Sequence, residues 1–144
     1  MRQKTTEELL NIIKNKQSTQ ELETYADTYL ESNNSQTIGE YLEQKIIEKK
    51  QSKKDVIKRS GISRTYAYQI LQGTRQPSRN KVLAFCLSLS LSIEETGKAL
   101  TINQSGKLYP RNKRDAIILY AINKQMNTMD TNILLYEMNE EVLD

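Results

Sequence analysis

Apolar residues recur three or four positions apart along most of this chain, as at Ile38, Leu42 and Ile46. This spacing gives a helix one apolar face that can pack against a core. Most of these segments follow a Ser, Thr or Asn with Glu or Asp three residues later, which is typical of a capped helix start. The starts are Thr5, Ser18, Thr37, Ser52, Ser92, Asn112 and Asn127. The pattern predicts an all-α fold.

The organisation follows from the breaks between these segments. We expect an N-terminal helical extension over 1–36, a central domain over 37–101 and a C-terminal helical pair over 107–144 that packs on the domain. The alternating run Leu87-Ser88-Leu89-Ser90-Leu91-Ser92 also fits a β-strand. Its place between two helical patterns favours a helix end, a turn and a new N-cap.

A weak internal repeat relates residues 79–100 to 114–135 at an offset of 35. The identical pairs are Arg79/Arg114, Thr96/Thr131 and Leu100/Leu135. The repeat predicts a helix pair used twice, with the second pair packed on the first. Chance similarity between two amphipathic pairs is the alternative.

Composition removes several kinds of chemistry. The 144-residue chain has no His and one Cys, which excludes a Ser-His-Asp triad, a His-containing zinc site and an intrachain disulfide. The lone Cys fits a reducing cytoplasm. The longest apolar runs, six residues at 82–87 and seven at 116–122, are far shorter than the roughly 20 that span a bilayer, so we expect no membrane partner. With no constellation of nucleophile, base and oxyanion donor, we expect no enzyme, metal or cofactor.

The net charge of +3 is distributed unevenly along the chain. Residues 37–80 contain ten basic and four acidic residues, a net charge of +6, whereas 1–36 carry −2 and 81–144 carry −1. A basic block between acidic flanks is typical of a polyanion-binding module. A solvated lysine-rich helix face is the alternative, but it does not explain the position of arginines at two helix starts and the loop that joins them.

A helix-turn-helix pattern lies inside the basic block. Ser52 caps a short helix, Gly61 permits a tight turn, and Ser63 caps a second short helix. The second helix turns Ala67, Ile70 and Leu71 inward and presents Arg64, Thr65, Tyr68 and Gln69. Arg can pair bidentately with guanine and Gln with adenine, while Thr or Tyr can reach a base edge or a phosphate. The exposed side chains therefore predict DNA reading.

Residues 38–100 resemble the lambda-repressor/Cro-like helix-turn-helix (Xre) family. The resemblance lies in Ile38-Gly39-Glu40-Tyr41-Leu42, Ser52…Gly61-Ile62-Ser63-Arg64-Thr65-Tyr66, Gln69-Ile70 and Gly73-Thr74-Arg75-Gln76-Pro77-Ser78. It implies a five-helix DNA-binding domain with helices at about 37–49, 52–60, 63–72, 78–89 and 92–101. The third helix, 63–72, would enter the major groove.

The resemblance also implies roles for single residues. It puts Arg64, Thr65, Tyr68 and Gln69 at base-reading positions, and Lys53, Thr74 and Arg75 at positions that hold the DNA backbone. We add Ser63, Tyr66 and Arg79 to the predicted backbone contacts. The chain departs from the family at Ile57 and Ala67, where the family has a small residue first and a β-branched one second. We interpret this as a compensating exchange of volume where the two helices cross.

These observations predict a sequence-specific binder of double-stranded DNA, a repressor-like transcriptional regulator from a bacterial cytoplasm. We expect a homodimer, because one short helix contacts only a few base pairs. Either 1–36 or 107–144 would dimerise or bind a protein partner. The alternative is a non-catalytic helical adaptor whose basic block, 45–79, binds an acidic protein.

Overall fold

The computed structural model describes residues 36–144, and all of its regular secondary structure there is helical. The seven helices are α1 Ile38–Glu48, α2 Lys53–Ser60, α3 Arg64–Gln72, α4 Arg79–Ser88, α5 Ile93–Ile102, α6 Lys113–Asn123 and α7 Thr128–Glu137. The predicted all-α class is confirmed for this part of the chain. The predicted N-terminal helical extension lies outside the described residues, apart from Gln36. None of the seven helices has the length and apolar character needed to cross a bilayer.

The helix starts are fixed by the predicted side-chain caps. Thr37, Ser52, Asn112 and Asn127 each accept a hydrogen bond from the backbone N–H three residues on. Ser92 and Glu95 form a full capping box, since each side chain bonds the other residue's backbone N–H. Such caps satisfy amides that a helix start would otherwise leave unpaired. The predicted starts at Thr5 and Ser18 lie outside the described residues.

Helix α4 is the centre of the core. Every residue from Val82 to Leu89 is buried, and α4 packs against α2, α5 and α7. Helix α1 packs on α3 and α5, with Leu42 fully buried between them. Because α4 is surrounded, its sequence shows no polar face, and its neighbours supply the amphipathic pattern instead.

Gly39 lets α1 approach α3 closely. A Cβ atom at this position would lie 2.5 Å from the carbonyl oxygen of Ile70 and 2.6 Å from that of Leu71. These carbonyls belong to the last turn of α3, so the first turn of α1 rests against the backbone of that helix. The absence of a side chain at Gly39 thereby permits this close contact between α1 and α3.

The two members of the predicted repeat have the same turn. Leu89 is the C-cap of α4, Ser90 takes φ 54°, and Ser92 caps α5. At the offset of 35, Lys124 is the C-cap of α6, Gln125 takes φ 56°, and Asn127 caps α7. Corresponding backbone bonds close both turns, from Leu91 to Cys86 and from Met126 to Ala121. The same turn also joins α1 to α2, where Lys50 takes φ 54° and Ser52 caps the next helix, so the turn agrees with the predicted repeat without being specific to it. The strand alternative for residues 87–92 is wrong.

The C-terminal pair α6–α7 packs on the preceding helices within one compact unit, Gln36–Asp144. Thr128, at the start of α7, donates its hydroxyl to the carbonyl of Ala84 at 2.8 Å. Arg114 of α6 donates to the Asn80 side chain at 2.9 Å and to the carbonyl of Glu141 at 2.9 Å. The bonds to Ala84 and Asn80 join the first turns of α7 and α6 to α4, and the bond to Glu141 joins α6 to the segment after α7.

Candidate nucleic-acid interface

The turn between α2 and α3 is built by three residues. Gly61 ends α2 with φ 75°, a left-handed conformation that strains any side chain, and its N–H bonds to the carbonyl of Lys58. Ile62 is buried, and its N–H bonds to the Ser60 hydroxyl at 3.2 Å. Ser63 then caps α3 by accepting from the Tyr66 N–H. The turn anchors the first residue of α3 while leaving it in solvent.

Helix α3 has one buried and one accessible face. Ala67, Ile70 and Leu71 are buried, as the sequence predicts. Arg64 and Thr65 are exposed, whereas Tyr68 and Gln69 are half-buried. The four predicted base-reading residues are thus accessible in α3's first two turns, together with the half-buried Tyr66. The Arg64 guanidinium lies 5.7 Å from the centre of the Tyr68 ring.

The loop after α3 folds back onto the same helix. The Arg75 guanidinium lies 4.3 Å from the centre of the Tyr66 ring, and its Nη1 donates to Oε1 of Gln69 at 3.4 Å. The Thr74 hydroxyl donates to the carbonyl of Gln69 at 3.3 Å. A predicted backbone contact, Arg75, is therefore joined to a predicted base reader, Gln69.

The sequence did not single out Lys81, yet its ammonium lies 5.7 Å from the centre of the Tyr66 ring. Tyr66 thus has two cations near its ring, Arg75 and Lys81. Lys81 falls two residues beyond the predicted basic block 45–79, in the first turn of α4. Lys81 is a basic residue near a helix start, as Arg79 is, but the predicted block ended at residue 79 and therefore left Lys81 out.

Several lysines of the basic block are ion-paired. Lys53 Nζ lies 2.7 Å from a Glu43 carboxylate oxygen, linking α2 to α1. Glu95 lies 3.0 Å from Lys45 and 3.3 Å from Lys49. Burial alone would raise the pKa of Glu95, but the Ser92 N–H and these two ammonium groups lower it to about 2. The α1 lysines therefore also join α1 to α5, a role that sequence charge counting does not show.

Arg79 has intramolecular partners on every side of its guanidinium. It forms two bonds of 2.9 Å with the Asp115 carboxylate and also donates to the carbonyls of Gly106 and Lys107 at 3.2 Å. Burial opposes the charge on Asp115, but the Arg79 bonds and the Tyr109 N–H hold the pKa of this carboxyl below its usual value. The structure brings Arg79 to the C-terminal pair, and its predicted phosphate contact stays a prediction.

Other chemistry is sparse in residues 36–144. No group of three or more potential metal ligands is found there. Cys86 is buried in α4, and burial raises the pKa of its thiol to about 12. A thiol held so far from its thiolate form is a poor nucleophile at neutral pH. The accessible face of α3 is thus the most distinctive chemical feature of this part of the chain.

A family comparison agrees with this geometry. Residues 41–95 match the family model of the Cro/C1-type HTH DNA-binding domain. The match runs from α1 to the first turn of α5 and confirms, over these residues, the resemblance drawn from the sequence. The match supports DNA binding. The searches of curated proteins and of solved structures found no match to the chain.

Proposed function

We propose that this protein is a transcriptional regulator that binds specific double-stranded DNA by inserting α3 into the major groove. One observation carries the proposal: the core leaves Arg64, Thr65, Tyr68 and Gln69 accessible on α3, beside Tyr66 and Gln72. These side chains offer both donors and acceptors, and the major groove distinguishes all four base pairs by such groups. The family match favours this function over the adaptor predicted as an alternative.

The residues around α3 support the proposal by supplying backbone contacts. Lys53 lies in α2, Ser63 in the turn before α3, Tyr66 in α3, and Thr74 and Arg75 in the loop that follows α3. Phosphate contacts set the register of a helix on DNA, while base contacts choose the sequence. Lys53 would exchange its carboxylate partner Glu43 for a phosphate, so its contribution is expected to be smaller than that of Arg75.

The decisive experiment is selection of bound sites from random duplex DNA with the full chain. We expect enrichment of one site. On that site Arg64→Ala or Gln69→Ala should cost about 1–3 kcal/mol of binding free energy, with little change on random DNA.

A matched control is Arg111→Ala, which removes the same charge from an exposed loop residue before α6. We expect it to leave the preference between selected and random DNA unchanged. If no duplex is enriched, and binding to any duplex is absent at low salt, the proposal is wrong.

A further inference from the structure

Three large apolar side chains form a stripe on α7. Met129, Ile133 and Tyr136 are 69%, 50% and 77% exposed. They are four and three positions apart, so they lie on one face of the helix. Contiguous apolar surface of this kind marks an interaction site in a soluble protein. We call these three residues the α7 stripe.

The internal repeat shows that the fold does not require apolar residues here. At the offset of 35, the stripe positions correspond to Glu94, Lys98 and Thr101 of α5, all of which are exposed. The two helix pairs share their turn geometry, so the same surface position is filled by polar residues in one pair and by apolar residues in the other. The stripe is therefore a property of α7 beyond the needs of its own packing.

A groove of about 650 Å³ lies beside the stripe. The turn of the helix-turn-helix, Gly61 and Ile62, lines it together with stripe residues. Three basic residues, Lys58, Arg59 and Lys81, belong to the α2 and α4 part of its lining, and two acidic residues, Glu137 and Asp144, to the α7 and C-terminal part. The surface thus has an apolar centre with positive charge on the helix-turn-helix part and negative charge on the α7 part.

We propose that this surface binds a second copy of the same chain about a two-fold axis. A two-fold axis through the apolar centre would bring the basic part of one copy opposite the acidic part of the other, so the surface is complementary to itself. A uniformly acidic or uniformly basic partner would instead meet charges of its own sign. The apolar stripes of the two copies would be buried against each other.

The position of the surface gives the dimer a consequence for DNA, and this consequence rests on the proposed function. The groove includes the residues that hold the start of α3, so a dimer formed here would fix the distance between two copies of α3. Two recognition helices at a fixed distance select two half-sites at a fixed spacing. Association itself does not depend on DNA binding.

The test is sedimentation equilibrium of the full chain and of stripe variants, with circular dichroism to verify helicity. Two variants give α7 the residues that α5 carries at the same positions. One is Ile133→Lys alone, and the other is the triple change Met129→Glu, Ile133→Lys, Tyr136→Thr. We expect a dimer for the unmodified chain and dissociation constants raised about tenfold or more for both variants. The matched control is Ile47→Lys, the same substitution at another exposed isoleucine on α1, which should leave the dimer unchanged.

Charge exchange provides a second measurement. Lys58→Glu and Glu137→Lys should each weaken the dimer, and the two changes together should restore part of the loss. A chain that stays monomeric throughout the micromolar range would overturn the proposal and assign the stripe to a different protein. A dimer that survives both stripe variants would overturn it as well.

The DNA result separates this proposal from the previous one. A dimeric chain that enriches no DNA site would contradict the proposed function while leaving the interface intact. Ile133→Lys should still bind a single half-site and lose the gain in affinity that a second half-site gives.

Discussion

Arg79 of α4 binds Asp115 of α6 through two hydrogen bonds of 2.9 Å each. The contact has a counterpart, because Arg114 of α6 donates to Asn80 of α4 at 2.9 Å. In the 35-residue repeat, Arg79 corresponds to Arg114 and Asn80 to Asp115. Arg79 thus bonds to the residue after Arg114, and Arg114 bonds to the residue after Arg79. Such reciprocal contacts occur when two similar units pack about a two-fold axis.

We expect Arg79→Ala to lower the free energy of unfolding by about 3 kcal/mol, because it leaves the Asp115 carboxylate without its charged partner. Asp115 is only 7% exposed, so water cannot fully replace the guanidinium. Chemical denaturation of the free protein measures the change. Lys124→Ala, the removal of an exposed charge from the end of α6, should change stability by less than about 0.5 kcal/mol. If Arg79→Ala changes the free energy of unfolding as little as Lys124→Ala does, the Arg79 contact contributes little to stability.

Gly39→Ala should destabilise the domain by about 1–3 kcal/mol, because the new methyl group would contact the backbone of α3. Backbone carbonyls cannot move aside as a flexible side chain can. The same substitution at Gly97 is the control, since a Cβ there meets nothing closer than 3.9 Å. In the helix interior Gly97→Ala should raise stability by about 0.5–1 kcal/mol. Thermal unfolding of both variants decides; a stable Gly39→Ala protein would mean that α1 can shift away from α3.

Ile57 and Ala67 are both buried, one on α2 and the other on α3. If their sizes compensate each other, Ile57→Ala and Ala67→Ile should each destabilise the protein, the first by about 2–4 kcal/mol. The double variant should recover much of the loss, giving an interaction energy above about 1 kcal/mol. A double-mutant cycle of unfolding free energies tests this, and simple additivity would contradict the compensating exchange.

Arg75 should affect base preference as well as affinity, because it bonds to the amide of Gln69 and lies over Tyr66. We expect Arg75→Ala to weaken all DNA binding, to lower the salt slope by about one, and also to reduce discrimination at the base that Gln69 contacts. A cycle with Gln69→Ala should then show coupling of about 0.5 kcal/mol or more.

The control for this coupling is Lys54→Ala, which removes an exposed charge from α2. It should weaken binding equally with and without Gln69. Additive effects of Arg75 and Gln69 would limit Arg75 to phosphate contact.

Acid should weaken the contact between α1 and α5. The pKa of Glu95 is about 2 in the folded protein against a usual 4.5, so the folded state favours its charged form. Its contribution to stability is complete above pH 4.5 and is lost as the pH falls from there towards 2. Denaturation across this range should show a smaller loss for Glu95→Gln than for the unmodified protein. An identical pH dependence of the two would show that the ion pairs with Lys45 and Lys49 are not maintained in solution.

The local structure of this protein can be predicted from its sequence. Ser52, Ser63 and Ser92 mark helix starts because a side-chain oxygen three residues before an amide is a local arrangement that needs no distant partner. Gly61 marked the turn because the left-handed backbone that glycine permits is also a local property. The accessible side chains of α3 followed from the helical period. The equivalence of Arg79 and Arg114 was also visible in the sequence, although chance similarity explained it equally well.

The partners of these residues depend on the packing of the helices and could not be predicted. Nothing in the sequence pairs Arg79 with Asp115, or brings Arg75 onto Tyr66, because such contacts depend on how whole helices cross. The exposure of Ile133 was likewise hidden, since an apolar residue at helical spacing has the same pattern whether it faces the core or the solvent. Packing determines which apolar face is covered, and it left the α7 stripe in solvent.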